Sequence, residues 1–291
     1  MTVVIPTLNE EESIGPLIDE IKAAGYGKIL VVDGYSKDKT IEVAREHGAV
    51  AIVQHGRGKA GAFSTGLMFL DTPYLVVMDG DGSYNPKDID RFLPFKSKYV
   101  FVKGQRERNG IMSRPHRLGN YVITTTFNML FGIQIPDICS GMYLLRTEEA
   151  RTLDFSRHPL TLEQEMAAQI VSMSLPVTSV PVSYRKRYGG KSKTNTWRQG
   201  FRDLLTNFDL ARHYNPILLF SALAMLALVP AVFLLGYASI LYILFRSYHG
   251  GYFLAGIAFL VLGAQGFTVA TLAAMLRRIE RKLASINSRS Y

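Results

Sequence analysis

Two carboxylates one residue apart, Asp79 and Asp81, follow directly on the apolar run Leu75-Val76-Val77-Met78. The glycine between them, Gly80, lets the backbone turn so that both side chains converge. Hard divalent cations such as Mg²⁺ or Mn²⁺ prefer oxygen ligands. They are typically held by one or two carboxylates together with a substrate's phosphates. An ion in that position also stabilises a departing nucleoside diphosphate. Asp-Gly is equally a common turn dipeptide, so the pair takes its meaning from its surroundings.

Three other polar clusters share those surroundings. Val3-Val4-Ile5 runs into Pro6, Thr7, Leu8, Asn9 and Glu10, and Val31-Val32 runs into Asp33, Gly34, Ser36, Asp38 and Thr40. Each puts polar groups at the end of an apolar run; taken alone, each also reads as a helix-capping loop. Gly56-Arg57-Gly58-Lys59-Ala60-Gly61 is glycine-rich and basic ahead of a helix, which suits a diphosphate. It lacks the Gly-Lys-Ser/Thr ending of a Walker motif. Further on come Arg114 and Arg117, and the acids Glu163 and Glu165 at a helix start. The six histidines show no metal-ligand spacing.

Elements must hold these groups in place. Strands are expected at 3–5, 29–32, 51–53 and 74–78, with helices at 11–24, 36–48 and 61–70. Gly48 would stop the second helix. This alternation predicts an α/β fold with a mostly parallel, doubly wound sheet. Ligands of such sheets bind at the carboxyl ends of the strands, where the acids fall.

Charge disappears after Asn215-Pro216. Residues 217–245 and 252–276 contain no charged side chain, and each exceeds the ~20 residues that a membrane-spanning helix needs. A two-helix transmembrane hairpin is therefore expected. The loop between the spans carries one arginine, Arg246. Arg198, Arg202 and Arg212 precede the spans, and Arg277, Arg278, Arg281, Lys282 and Arg289 follow them. The positive-inside rule then predicts an integral membrane protein with its first domain and both termini cytoplasmic. Phe201, Leu204, Leu205 and Phe208 recur at helical spacing among arginines, the pattern of an interfacial helix. No basic stretch precedes the apolar Met1–Pro6, so a secretory signal is not expected. The expected organisation is a catalytic domain over 1–196, an interfacial helical segment over 197–215, membrane helices within 216–276 and a basic tail over 277–291.

The 291 residues carry a net charge of +9, which favours an anionic partner. Acids at three strand ends would repel a nucleic-acid backbone, so no nucleic acid is expected. The single cysteine, Cys139, forbids an intramolecular disulfide.

Pro6, Asn9 and Glu10, then Asp33-Gly34 with Ser36, Asp38 and Thr40, then Asp79-Gly80-Asp81, resemble in order and spacing the inverting glycosyltransferase family 2, which has the GT-A, Rossmann-like fold. The resemblance covers roughly the first two hundred residues. Within that family the chain resembles dolichyl-phosphate mannose synthases and related polyprenyl-phosphate hexose transferases. Asp137 to Met142, with Ser140-Gly141, and Arg187 to Lys193, with Ser192-Lys193, add to it.

The resemblance implies a metal-assisted transfer of a hexose from a nucleotide-sugar to a polyprenyl or dolichyl phosphate, supplying lipid-linked sugar for glycosylation. Mannose from GDP-mannose is the first donor it suggests, with UDP-glucose and UDP-N-acetylglucosamine as alternatives. It implies nucleotide-sugar contacts at Pro6, Leu8, Glu10, Asp33, Asp79, Arg187 and Lys193, to which the glycine-rich loop adds Lys59. Asp79 and Asp81 would hold Mg²⁺ or Mn²⁺. Ser83, which stands where relatives often carry a glutamine ligand, would add its hydroxyl. Leu8 departs from the family too, which often has Tyr there.

A phosphate monoester is already charged and nucleophilic at neutral pH. The acceptor therefore needs a cationic seat more than a general base. Arg117 and Arg114 supply the cations. With Ser140 and Ser192 they form the expected lipid-phosphate set, and Arg117 joins Asp79 and Asp81 as a catalytic group. Membrane lipids are the other expected partner, and a homo-oligomer is compatible with this organisation. A hydroxyl acceptor would need a base, for which Glu163, Glu165 and Asp137 are the candidates. A nucleotidyltransferase would share the acidic site but should carry a glycine-rich first loop, where Pro6 to Glu10 stand instead.

Overall fold

A computed structural model describes residues 1–107, 111–155, 161–189 and 196–287. The chain divides into two units, one from Met1 to Asn207 and one from Phe208 onward. The first opens with β1 (Thr2–Thr7), α1 (Glu11–Ala23), β2 (Ile29–Asp33), α2 (Thr40–Glu46), β3 (Val50–Val53), α3 (Gly58–Met68) and β4 (Tyr74–Val77). It continues with β5 (Phe101–Arg106), α4 (Arg114–Phe131), β6 (Tyr143–Arg146), α5 (Thr147–Ala150), α6 (Leu162–Ser172) and β7 (Val177–Val182). A further helix, α7 (Thr196–Tyr214), runs from the first unit into the second. The second unit holds α8 (Pro216–Phe245) and α9 (Gly250–Asn287).

The seven strands form one sheet in the order β3-β2-β1-β4-β6-β5-β7. All neighbours are parallel except β6, which runs against both β4 and β5. This is the mostly parallel α/β sheet that the sequence predicts, with one reversed strand inserted. α1 forms because Ile14, Leu17, Ile18 and Ile21 make one apolar stripe, all fully buried. Glu11 and Glu12 complement its N-terminal dipole. Burying each of those side chains contributes about 1.5–3 kcal/mol. The stripe packs with Val3, Ile5 and Val31 in one core cluster. α3 approaches Val4, Leu30 and Val32 instead. Successive strand residues point to opposite faces, so the two helices cover opposite sides of the sheet.

α2 starts at Thr40 rather than at Ser36, because backbone donors before it are used elsewhere. Ser36 N donates to Asp33 Oδ1 at 2.7 Å, Lys37 N to Asn9 Oδ1 at 2.7 Å and Lys39 N to Glu11 Oε2 at 3.0 Å. The last two bonds tie the loop after β2 to the loop after β1 and the start of α1. α3 starts earlier than the sequence predicts, so Lys59 stands in its first turn.

In the second unit, Pro216–Phe245 and Gly250–Leu276 are long and apolar enough to cross a membrane. Only 17% of the most apolar window of each is buried, and Leu226, Phe233 and Ile243 are more than two-thirds exposed. Exposed apolar surface of this extent suits a membrane or another apolar partner. The two helices pack along their length, with Gly263 and Gly266 of α9 close against Leu228 and Ala224 of α8.

Candidate active site

β4 ends at Val77, and the chain continues through the buried Met78 to Asp79. The chain then turns through Gly82, whose φ of +72° suits a residue without a side chain. Gly141, in the loop before β6, lies so close to Asp79 that a Cβ there would fall on its carboxylate.

The two acids meet different surroundings. Lys59 Nζ bonds Asp79 Oδ1 at 2.6 Å and Glu163 Oε1 at 2.5 Å, bridging α3, β4 and α6. Burial works against the charge on Asp79, but the Lys59 ammonium outweighs it and holds this carboxyl below its ordinary value. The same two carboxylates hold Lys59 well above the ordinary lysine value. Asp81 goes the other way. Burial, and then the neighbouring charge of Asp79, push its carboxyl up. Its Oδ1 accepts the Ser83 N–H at 3.0 Å, and Arg187 stands 3.8 Å from its Oδ2.

Arg187 gives its closer contacts to Glu10, at 3.1 and 3.3 Å. The segment around it clasps the acidic turn. Arg185 N donates to Ser83 O at 2.9 Å, Tyr188 N donates to Asp81 O at 3.1 Å, and the Tyr188 ring lies over Gly82. Ser83 is buried beside Asp81, which both its backbone and its side chain approach.

At the ends of β1 and β2, Thr7 pairs in register with Asp33. Asp33 is fully buried and accepts from Thr7 Oγ1 at 3.2 Å, Ser36 N at 2.7 Å and Ser36 Oγ at 2.5 Å. Its carboxylate therefore braces the loop. Pro6 stands at the end of β1, and Leu8, beyond it, is half exposed.

A second feature lies between the end of β5 and α4. Arg106 grips Asp137 with two bonds of 2.6 and 2.8 Å, and both are largely buried. Beside them is a cavity of about 610 Å³, lined by Gln105, Arg106, Arg117, Tyr121, Asn128 and Asp137 among others. Asp137, which lines the cavity, lies in the same loop as Gly141, which abuts Asp79, so the cavity and the acidic turn meet through that loop. Arg117 lines it; Arg114, at the exposed start of α4, does not. Ser140 is fully buried, 3.3 Å from Tyr84 Oη, and is not part of that lining. Ser192 and Lys193 fall outside the described residues.

The structure thus joins Lys59, Asp79, Asp81, Glu10 and Arg187 around one turn, with Arg117 at a neighbouring cavity. Sequence reasoning missed Arg106 and the pairing of Lys59 with Glu163. A basic residue at the carboxyl end of an apolar strand is a signal that would have pointed to Arg106. Among the described residues, no group of three or more His, Cys, Asp or Glu side chains could hold a metal ion.

Comparison with known proteins agrees with this geometry. Residues 2–153 match the model of glycosyl transferase family 2. Glycosyltransferase AglJ of Haloferax volcanii is 33% identical over 227 residues, covering 76% of this chain and 75% of AglJ. A dolichyl-phosphate hexose transferase of the same organism is 30% identical over 194 residues, covering 65% and 84% of the two chains. A dolichyl-phosphate beta-glucosyltransferase of Drosophila melanogaster is 28% identical over 239 residues, covering 70% and 73%. Among solved structures, glucosyl-3-phosphoglycerate synthase from Mycobacterium tuberculosis, in complex with Mn²⁺, UDP and phosphoglyceric acid, has a similar fold. Its TM-score is 0.59 at 21% identity, with 71% of this chain and 77% of that one covered. The chain belongs to glycosyl transferase family 2 and is a glycosyltransferase.

Proposed function

We propose that this glycosyltransferase moves a hexose from a nucleoside-diphosphate sugar to a polyprenyl phosphate of the dolichyl type, at a membrane surface. The observation that carries the reading is the Arg117 cavity beside the acidic turn. It offers a cationic seat for an anionic acceptor close to the groups that suit the donor.

Asp79 and Asp81 fit a divalent cation. Two carboxylates share one turn, and burial and the charge of Asp79 raise Asp81 in spite of Lys59 and Arg187 nearby, so a further cation is favoured there. Such an ion, Mg²⁺ or Mn²⁺, would supply charge neutralisation for the leaving diphosphate. Ser83 orients Asp81 through its N–H. Lys59 and Arg187 are the cations best placed to move onto the diphosphate. Pro6, Leu8 and Glu10 would border the nucleotide, with Asp33 holding their loop in shape. Arg117 would hold the acceptor phosphate in line with the anomeric carbon, with Arg114 attracting it from the exposed helix start. The inverting outcome follows from a single in-line displacement.

Of the relatives named above, one is a glucosyltransferase and none a mannosyltransferase. This favours a UDP-hexose, UDP-glucose first, over GDP-mannose as donor. The exposed Phe201, Leu205 and Phe208 on α7 suit a helix lying in the headgroup region, with α8 and the first part of α9 spanning the bilayer. The arginine distribution supports a cytoplasmic position for both termini. The test incubates membranes containing the protein with labelled UDP-glucose or GDP-mannose, polyprenyl phosphate and Mn²⁺. A metal-dependent, mild-acid-labile glycolipid is expected from one donor. A product resistant to mild acid would instead indicate a hydroxyl acceptor, and would overturn the reading.

A further inference from the structure

Beneath the Lys59 bridge lies a second lysine. Lys103, in the middle of β5, is fully buried. Its ammonium has no hydrogen-bond partner among the described residues. It sits 5.0 Å from the ring centre of Tyr143 and 5.8 Å from that of Phe101. The Tyr143 hydroxyl is also buried without a partner. The charged and titratable groups that face Lys103 are Glu163 on α6, Lys59 on α3, Asp137 and Cys139 in the loop before β6, Tyr143 on β6 and, at the end of β4, Asp79.

An ammonium held this way is costly, and aromatic rings offset only part of the cost. Glu163 and Asp79 are both within its electrostatic reach and both occupied by Lys59, and of the two Asp79 is the one that the diphosphate and its ion would engage. Lys59 serves two acids at once, and a diphosphate arriving at Asp79 and Asp81 offers it a third, more highly charged partner. We propose that Lys103 is a positioning residue that takes Glu163 as its ion-pair partner when the donor's diphosphate draws Lys59 away, and so holds that carboxylate against the donor sugar. The proposal rests on the reading that the nucleotide binds at the acidic turn.

The exchange has a proton signature. Burial pushes Lys103 down to about 8, against the pull of Glu163 and Asp137 and with Lys59 adding repulsion. Removing Lys59 from Glu163 weakens the repulsion and leaves the attraction unshared, so Lys103 holds its proton more tightly in the bound state. Above pH 8, nucleotide binding therefore takes a proton from solvent.

The full-length enzyme in detergent is titrated calorimetrically with UDP or GDP plus Mn²⁺ at pH 8.5, in two buffers of different ionisation enthalpy. About half a proton or more should be taken up per nucleotide bound. Lys103→Arg, charged throughout, should abolish the uptake while retaining most of the turnover. Lys103→Met should abolish it too, leave the nucleotide Kd within about threefold, and lower kcat about tenfold or more. Equal uptake in wild type and Lys103→Arg, or wild-type kcat in Lys103→Met, would overturn the proposal. Should Lys103→Met fail to fold, the wild-type and Lys103→Arg pair decides alone. Failure of both nucleotides to bind wild-type enzyme would remove the functional reading itself, and this inference with it.

Discussion

Asp79 and Asp81 leave the same strand end one residue apart, yet the fold treats them as opposites. Asp79 is provided for from within: Lys59 reaches it from α3 and is itself steadied by Glu163. Asp81 has a backbone N–H and a distant Arg187 whose closer bonds go to Glu10. One carboxylate is held below its ordinary value and its twin above. Identical side chains at near-identical positions thus acquire different tasks from residues on separate elements of the sheet and its loops. The acid with the weaker internal cation is the one with most to gain from an external one.

The largest expected effect comes from Asp81→Asn. Its kcat/KM should fall by about a thousandfold, while the metal-free protein melts at the same temperature or higher, since a disfavoured charge has been removed. A lower melting temperature would break the contrast. Asp79→Asn should also abolish turnover, but it should destabilise the metal-free protein by about 1 kcal/mol, because Lys59 loses one of its two anions. Thermal melts of the two variants side by side measure this.

The pH dependence sharpens the comparison. Asp79 has a depressed carboxyl, so its contribution to stability is present above the ordinary carboxylate value and lost as pH falls through its lower folded value. Asp81 has a raised one, so its contribution is present below the ordinary value and lost as pH rises through its higher folded value. Difference melts against wild type between pH 3 and 6 should show the two variants diverging in opposite directions. Mn²⁺ should erase the Asp81 component at the upper end of that range. The smallest effect is expected from Glu10→Gln, which loosens Arg187 and lets it approach Asp81. The upward shift of Asp81 should shrink, with a change of only a few-fold in nucleotide KM.

The first half of the sheet was legible because its strands are short apolar runs with acids at their ends, and α1 carries a four-residue stripe. The sequence also predicts the acidic turn and the two long apolar helices. Strands β5, β6 and β7 were not legible. Lys103 and Gly104 interrupt the apolar run of β5, Pro181 interrupts β7, and a reversed strand such as β6 leaves no mark in local pattern. The start of α2 was misread because Asp33 and Asn9 capture the backbone donors that would have extended it. At the site, the carboxylates could be seen but not their difference. The Lys59–Glu163 contact joins residues 104 positions apart, and no spacing rule anticipates it.

α9 runs without a break from Gly250 to Asn287, whereas its apolar part ends at Leu276. At 1.5 Å per residue, the whole helix is about 57 Å long against a hydrocarbon core of about 30 Å. Arg277, Arg278, Arg281 and Lys282 therefore share one continuous helix with the apolar stretch that precedes them. Their rotational phase is fixed by that span: one residue inserted after Leu276 would turn every basic group beyond it through about 100°. The helical phase of that basic end is thus set by the apolar part of the same helix.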